Sequence, residues 1–155
     1  MELETWAAPP GETIPNHPRY EVLLYRGVDV SDVQALFAEH GWGGSWVNGV
    51  FDYHHFHSTS HEVLAVIAGN ARLELGGPQG DTFVVAAGDV IVLPAGTGHR
   101  RAEASADFRV VGAYPEGQED YDLLREADEA AIARIDAVAL PRADPVGGEG
   151  VGRWS

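Results

Sequence analysis

Histidine carries most of the chemical information in this sequence, because four of its seven histidines lie within eight residues: His54, His55, His57 and His61. His55 and His57 are two positions apart, so on a strand their side chains leave the same face. Residues 58–60, with the sequence Ser-Thr-Ser, predict a turn, and Glu62 opens the next apolar run. A carboxylate at that position can reach back toward the two imidazoles.

A fifth histidine, His99, lies far downstream in a turn rich in glycine and proline. Three neutral imidazoles and one carboxylate suit a divalent transition metal ion such as iron, manganese, nickel, zinc or copper. In six-coordinate geometry such a set leaves roughly two positions for water, substrate or dioxygen. We therefore expect one divalent metal ion as the cofactor, with its identity set by availability.

Composition narrows the classes of function. The chain has 155 residues, 24 acidic and 10 basic side chains, and a formal charge of −14. Such an acidic chain is repelled by nucleic acid and by anionic lipid, so we expect neither as a partner. All basic residues are arginine and cysteine is absent, which excludes lysine Schiff bases, thiol nucleophiles and disulfides. No apolar run is long enough for a membrane span, and we expect a cytoplasmic protein.

The elements that must position these residues are mostly strands. Residues 20–25 predict a strand, and residues 46–114 consist of short apolar or β-branched runs separated by turn signals. A short helix near residues 31–40 is indicated by a capping box of Ser31 and Gln34 and by Gly41 as its stop. This spacing predicts an all-β sandwich or small barrel.

We predict three segments in the chain. Proline-rich residues 1–18 form an extended arm, residues 19–118 form the barrel domain, and residues 119–155 form a helix and tail packed on the barrel. Helical spacing over residues 119–137 predicts the C-terminal helix. Trp154 is the only large apolar anchor in the tail.

Two motifs show a family resemblance. The first has five residues between Gly49 and His55-x-His57, then four to Glu62 and six to Gly69. The second is Gly88, five residues, Pro94-x-Gly96, two residues and His99. Both resemble the two cupin motifs, and the similarity to the YjlB-like group of small bacterial cupins runs from about residue 20 to the end. The asparagine that often ends the second motif is replaced by Glu103.

The resemblance implies a fold, a ligand set and an assembly. The expected fold is a small antiparallel barrel of two packed sheets, a double-stranded β-helix or jelly roll, with the metal in its mouth. The implied metal ligands are His55, His57, Glu62 and His99. Cupins commonly form dimers, so we expect a homodimer.

Several neighbouring residues keep alternative roles. His61 is an even number of positions from His57, so on one continuous strand it would point to the same face and could replace Glu62 as a ligand. The turn at residues 58–60 interrupts that strand, however, and the motif spacing favours Glu62. We expect His61 in the pocket mouth, where it could shuttle a proton. His54 points to the opposite face and suits a structural hydrogen bond.

Other polar and aromatic residues suit structural roles. Arg100 and Arg101 alternate in direction, and surface pairing is the favoured role of both, although one of them could meet a carboxylate substrate. Tyr114 could border the pocket, but packing is the favoured role. The expected barrel core includes four other aromatic side chains: Tyr53, Phe56, Phe83 and Phe108.

These observations lead to three hypotheses about function. The first is a metal-dependent enzyme acting on a small organic molecule, with a dioxygenase favoured over a decarboxylase, isomerase or epimerase. The second is a metal-dependent module that binds or senses a small molecule without turnover. The third is a purely structural metal; the ample apolar core instead predicts that the metal-free protein stays folded.

Overall fold

The computed structural model describes residues 1–155. In chain order its elements are β1 (Glu2–Trp6), β2 (Val22–Arg26), α1 (Val33–Glu39), β3 (Trp42–Asn48), β4 (Glu62–Ala68), β5 (Asn70–Leu75), β6 (Asp81–Ala86), β7 (Val90–Leu93), β8 (His99–Ala104), β9 (Arg109–Pro115), α2 (Glu129–Ala137) and a 3-10 helix (Val151–Trp154). Neither α-helix is long and apolar enough to cross a membrane.

The strands form two antiparallel sheets. The larger has the order β1-β2-β7-β4-β9-β3 and the smaller has the order β6-β5-β8. Neighbours in the sheets are far apart in the chain, as in the pairing of β4 with both β7 and β9. This arrangement confirms the predicted all-β jelly roll.

One hydrophobic core lies between the two sheets. Alternate residues of each strand point inward, so β5 contributes Ala71, Leu73 and Leu75 while Asn70 and Arg72 are exposed. From the larger sheet come Leu64 on β4 and Ile91 on β7, among others. Every second side chain of these strands is therefore buried between the sheets, and the packing of these side chains holds the two sheets together.

A second core covers the outer face of the larger sheet. Leu23, Val63 and Val92 point outward from β2, β4 and β7, and they are buried beneath α1 and the C-terminal tail. Trp154 is buried there, and its indole Nε1–H donates to the carbonyl of Glu21 at 3.0 Å. Because both faces of these strands are covered, they are continuous apolar runs with no polar alternation.

Three predicted elements differ from those in the structure. Residues 2–6 of the predicted arm form the edge strand β1, which pairs with β2. The α1 N-cap is Asp32 and makes no side-chain cap hydrogen bond; Ser31 instead donates to Asp29, so the capping-box prediction is wrong. Helix α2 begins only at Glu129, because Asp128 caps it by accepting the N–H of Ala131.

The N-terminal segment brings a buried histidine against the outer core. His17 stacks on the ring of Tyr20 with a centroid separation of 4.1 Å. Its Nδ1 accepts hydrogen bonds from the backbone N–H groups of Arg19 and Tyr20. Burial, and then the charge of Arg19, lower the pKa of His17 to about 4.

This depressed pKa predicts sensitivity to acid. Because the unfolded His17 has a pKa of about 6.5, the unfolded chain binds the proton first, and stability is lost as pH falls from about 6.5 to about 4. We expect His17 to account for about 2 kcal/mol of lost unfolding free energy between pH 7 and pH 4.5. The test is urea unfolding at both pH values. The loss of unfolding free energy between them should be about 2 kcal/mol smaller in His17→Asn, whose amide oxygen accepts the same N–H groups. Equal pH dependence in both proteins would contradict this prediction.

Candidate metal centre

The histidines of the first cluster lie in the connection between β3 and β4, and His99 begins β8. An antiparallel bridge joins His55 to His99, with backbone hydrogen bonds of 2.9 and 3.3 Å. Gly96 has a φ of +85° in the turn before β8, and an added Cβ would lie 2.8 Å from Ile135 Cδ1. Glycine is therefore required in the turn that delivers His99.

Four buried side chains meet at one point. A ring nitrogen of each of His55, His57 and His99 lies within 4.8 Å of those of the other two. Glu62 Oε1 lies 3.4 Å from His57 Nε2 and 3.2 Å from His99 Nε2. The structure thus brings together all four side chains that were predicted to be ligands.

Backbone carbonyls orient the three rings. The Nδ1 atoms of His55, His57 and His99 face the carbonyl oxygens of Tyr53, Asp122 and Thr97. A carbonyl can only accept, so each Nδ1 carries a proton and each Nε2 of a neutral ring presents a lone pair. Hydrogen bonds from Nδ1–H to a backbone carbonyl are typical of histidines that bind metals through Nε2.

The Glu62 carboxylate and the imidazole nitrogen atoms around it favour a positive charge between them. Glu62 Oε1 is buried and has no hydrogen-bond partner. Burial by itself raises the pKa of Glu62, but the nearby His57 and His99 outweigh burial and hold it well below its usual range. Burial lowers the pKa of His57, but the Glu62 carboxylate outweighs this and raises it. A proton can therefore occupy the position between them that the donor set also suits for a metal cation.

His55 is in a different electrostatic state. Burial, followed by the proximity of His99, lowers its pKa to about 3. The ring is therefore neutral at physiological pH and available as a ligand without prior loss of a proton.

Tyr114 holds the second oxygen of the carboxylate. Its hydroxyl donates to Glu62 Oε2 at 2.8 Å and accepts the indole N–H of Trp46 at 2.8 Å. Burial, and then the Glu62 charge, raise the pKa of Tyr114 well above its usual range. The indole lies over Gly112, where an added Cβ would be 2.3 Å from the ring, so this contact needs glycine. The favoured prediction that Tyr114 only packs is therefore wrong.

A cavity of about 600 Å³ opens onto this cluster. Such a volume suits a small organic ligand. Its wall is partly polar and partly apolar, and the apolar part includes Trp46, Val47, Val50, Phe51, Leu64 and Leu123. Tyr121 borders it as well and stacks on Tyr114 with a centroid separation of 4.1 Å.

His61 does not reach this cavity. It is fully buried, with its ring 5.1 Å from that of Trp154 on the other side of the sheet. Its Nδ1 accepts the N–H of Ala95 at 2.9 Å. The prediction that His61 lies in the pocket mouth is wrong, because adjacent residues of a strand point to opposite faces and Glu62 points inward. Burial, and then the proximity of His17, lower the pKa of His61 to about 3.

Three other residues, His54, Arg100 and Arg101, point in the directions that side-chain alternation requires. His54 points away from the cluster, and its Nε2 lies 3.4 Å from Glu74 Oε2. Arg100 also pairs with Glu74, at 3.3 Å, whereas Arg101 lines the cavity. The prediction of surface pairing holds for Arg100 and is wrong for Arg101.

The fold and the site together define a small jelly-roll protein with a histidine-rich cluster in its mouth. The cupin domain family matches residues 46–111. The protein YjlB of Bacillus subtilis (strain 168), described as uncharacterized, is 38% identical over 153 residues, which cover 96% of this chain and 92% of that protein. The chain therefore belongs to the cupin family, in the group of single-domain cupins that includes YjlB.

Solved structures show more distant similarity. Acireductone dioxygenase from Bacillus anthracis, with a cadmium ion in its active centre, is 16% identical with a TM-score of 0.43, and the match covers 57% of this chain and 60% of that chain. Oxalate decarboxylase from Bacillus subtilis is 20% identical with a TM-score of 0.42, and the match covers 74% of this chain and 29% of that chain.

Proposed function

We propose that this protein is a divalent-metal-dependent enzyme acting on a small organic molecule, with His55, His57, Glu62 and His99 as the metal ligands. The observation that carries the proposal is the unpartnered Glu62 Oε1, buried 3.2 and 3.4 Å from two imidazole Nε2 atoms. A buried carboxylate oxygen without a hydrogen-bond donor is costly, and a cation coordinated by all four groups removes that cost.

The chain's own residues support such chemistry. A bound divalent ion supplies Lewis acidity and, in the case of iron, access to dioxygen chemistry. Backbone carbonyls fix the three imidazoles, and the Tyr114 hydroxyl orients Glu62. Apolar side chains such as Val50 and Leu64 line part of the cavity beside the cluster. We favour a dioxygenase reaction, since iron would accept this ligand set and the cavity beside the four side chains has room for a small organic substrate.

The test is turnover by metal-loaded protein. Metal-free protein is loaded separately with Fe(II), Mn(II), Ni(II), Zn(II) or Cu(II), and the metal content is measured by elemental analysis. Each form is then incubated with a mixture of small carboxylic acids, hydroxy acids and diketones. NMR follows substrate loss and an electrode follows oxygen. Metal-dependent substrate loss that disappears in Glu62→Ala supports the enzyme, and failure of the wild type to take up any metal overturns it.

The alternative function is metal-dependent binding or sensing without turnover. One observation favours it, because His61, the expected proton shuttle, lies outside the cavity. Outside the ligand set, the ionisable side chains that line the cavity are Asp52, Arg101 and two tyrosines. Metal-dependent binding of a small molecule that is never consumed would establish this alternative.

Removal of the Tyr114 hydroxyl tests whether its hydrogen bond to Glu62 strengthens metal binding. Tyr114→Phe removes the donor to Glu62 Oε2 and the acceptor for the Trp46 indole, and we expect metal affinity to fall by about 10- to 100-fold. Equilibrium dialysis with Zn(II) measures the affinity. Tyr53→Phe is the matched control, because the Tyr53 ring packs beneath Arg125 and its hydroxyl makes no contact with Glu62. Equal affinities in the two variants would show that the Tyr114 hydroxyl does not support the ligand.

The homodimer and the cytoplasmic location stay predictions. Strand β6 lies at an edge of the smaller sheet, and its Val84 is exposed. Although the Val84 carbonyl accepts the Arg26 guanidinium at 2.9 Å, no strand pairs with this edge, and a second copy can bind to it. Light scattering of the purified protein measures the mass directly, and a mass of about 17 kDa would contradict the dimer.

A further inference from the structure

Arg101 is the only arginine that lines the cavity above the histidine cluster. Its backbone N–H donates to the carbonyl of Phe51 at 2.9 Å, which holds this part of β8 against the cavity wall. Six of the chain's arginines lie within 4.0 Å of a carboxylate oxygen: Arg19, Arg26, Arg100, Arg134, Arg142 and Arg153. Arg101 has no such partner, although the chain carries an excess of 14 acidic side chains.

The register of β8 explains why Arg101 faces inward. His99 pairs with Leu75 and Arg101 pairs with Leu73, and both leucines belong to the core between the sheets. Residues two apart on a strand share a face and are separated by roughly 7 Å. The guanidinium of Arg101 is therefore on the same wall as His99, whereas Arg100 points away toward Glu74.

The formal charges in the cavity favour an anion once a metal is bound. Glu62 and Asp52 contribute two negative charges and Arg101 contributes one positive charge. A divalent ion changes the formal sum from −1 to +1, with the histidines neutral. The chain is acidic as a whole, so a positive charge here would come from the bound ion and Arg101 alone.

We infer that Arg101 binds the carboxylate of the ligand, and that the ligand is a small organic acid with a second oxygen donor directed at the metal. This inference rests on the proposed metal site and deepens it by naming the substrate class. A guanidinium recognises a carboxylate through two parallel hydrogen bonds, which discriminates against neutral isosteres. The apolar wall of Val47, Phe51 and Leu123 accommodates a short carbon skeleton between the two polar ends.

The experiment compares acids with their uncharged amides. Co(II)-loaded protein is titrated with lactate, lactamide, pyruvate and pyruvamide, and binding is followed by the visible spectrum of the cobalt ion. The variants are Arg101→Gln, Arg101→Lys and the matched control Arg100→Gln. Elemental analysis of every sample measures cobalt content independently of ligand binding.

We expect at least one acid to bind at least about tenfold more tightly than its amide. Arg101→Gln should reduce that preference to within about twofold while cobalt content is unchanged, and Arg101→Lys should restore part of it. Arg100→Gln should bind as the wild type does. A preference that survives in Arg101→Gln, equal affinities for acid and amide, or no binding of any of the four would overturn the inference. Absence of cobalt from the wild type would instead show that the proposed metal site is wrong, and the inference would fall with it.

Discussion

The His57→Ala variant will bind a divalent metal ion at least about a hundredfold more weakly than the wild type, whereas His54→Ala will bind it equally well. The two histidines are close in sequence and chemically identical, but they point in opposite directions. His57 Nε2 lies 3.4 Å from Glu62 Oε1, and His54 Nε2 lies 3.4 Å from Glu74 on the other side of the strand segment. Equilibrium dialysis with elemental analysis measures the difference.

A second variant separates loss of metal from loss of fold. His57 also binds the carbonyl of Asp122 through Nδ1, so its removal affects a loop contact. His99→Ala removes a ligand from the regular strand β8 and should give the same loss of metal. Circular dichroism in the presence of a chelator should show that both variants are folded. Wild-type metal content in either variant would contradict its assignment as a ligand.

The metal-free wild type should also unfold cooperatively. Each of the two principal cores contains 13 buried apolar residues, and none of the four candidate ligands belongs to either. Removal of the ion leaves those contacts in place, in contrast to small domains that fold only around a metal.

Asp144→Ala will reduce the free energy of unfolding by about 3 kcal/mol, which corresponds to a fall of roughly 10 °C in Tm for a domain of this size. Asp144 is buried in the C-terminal tail and accepts the hydroxyl of Tyr25 at 2.5 Å. It also accepts three backbone N–H groups, those of Val146, Gly148 and Val151. Without the carboxylate, the Tyr25 hydroxyl and these buried or partly buried N–H groups lose their partner, and the tail loses one of its attachments to β2.

The matched control for Asp144 is another aspartate in a different environment. Asp136 forms an exposed ion pair with Arg19, and exposed pairs contribute at most about 1 kcal/mol. Asp136→Ala should therefore change Tm by only a few degrees. Thermal unfolding followed by circular dichroism compares the two variants, and equal shifts would show that Asp144 does not anchor the tail.

The ligand set was accessible from sequence because the two motifs imply it by resemblance and local geometry agrees with them. His55 and His57 share a face through strand alternation, and glycine and proline determine the turn that delivers His99. The same alternation also determines which way the neighbouring side chains point. Glu62 points inward, so its neighbour His61 must point outward, and Arg101 shares a face with His99.

Other features depend on contacts between distant segments. Residues 119–128 were predicted to be helical, but Asp122 accepts the backbone N–H and hydroxyl of Ser58. These contacts hold the segment in an irregular conformation beside the first histidine cluster, where Tyr121 and Leu123 line the cavity. Helical periodicity cannot reveal hydrogen bonds that compete with helix formation, because the hydrogen-bond partners lie more than 60 residues away in the chain.

By itself, the sequence determined the all-β class, the cupin resemblance and four residues that converge on one point. The all-β class follows from side-chain alternation and turn chemistry, which act over a few neighbouring positions, and the full ligand set is what the motif resemblance implied. Only the tertiary structure decided that Tyr114 supports Glu62, that the Trp46 indole lies over Gly112, and that Arg101 has no acidic partner. These properties require β3, β4, β8 and β9 to be assembled, because the register between strands determines which side chains meet.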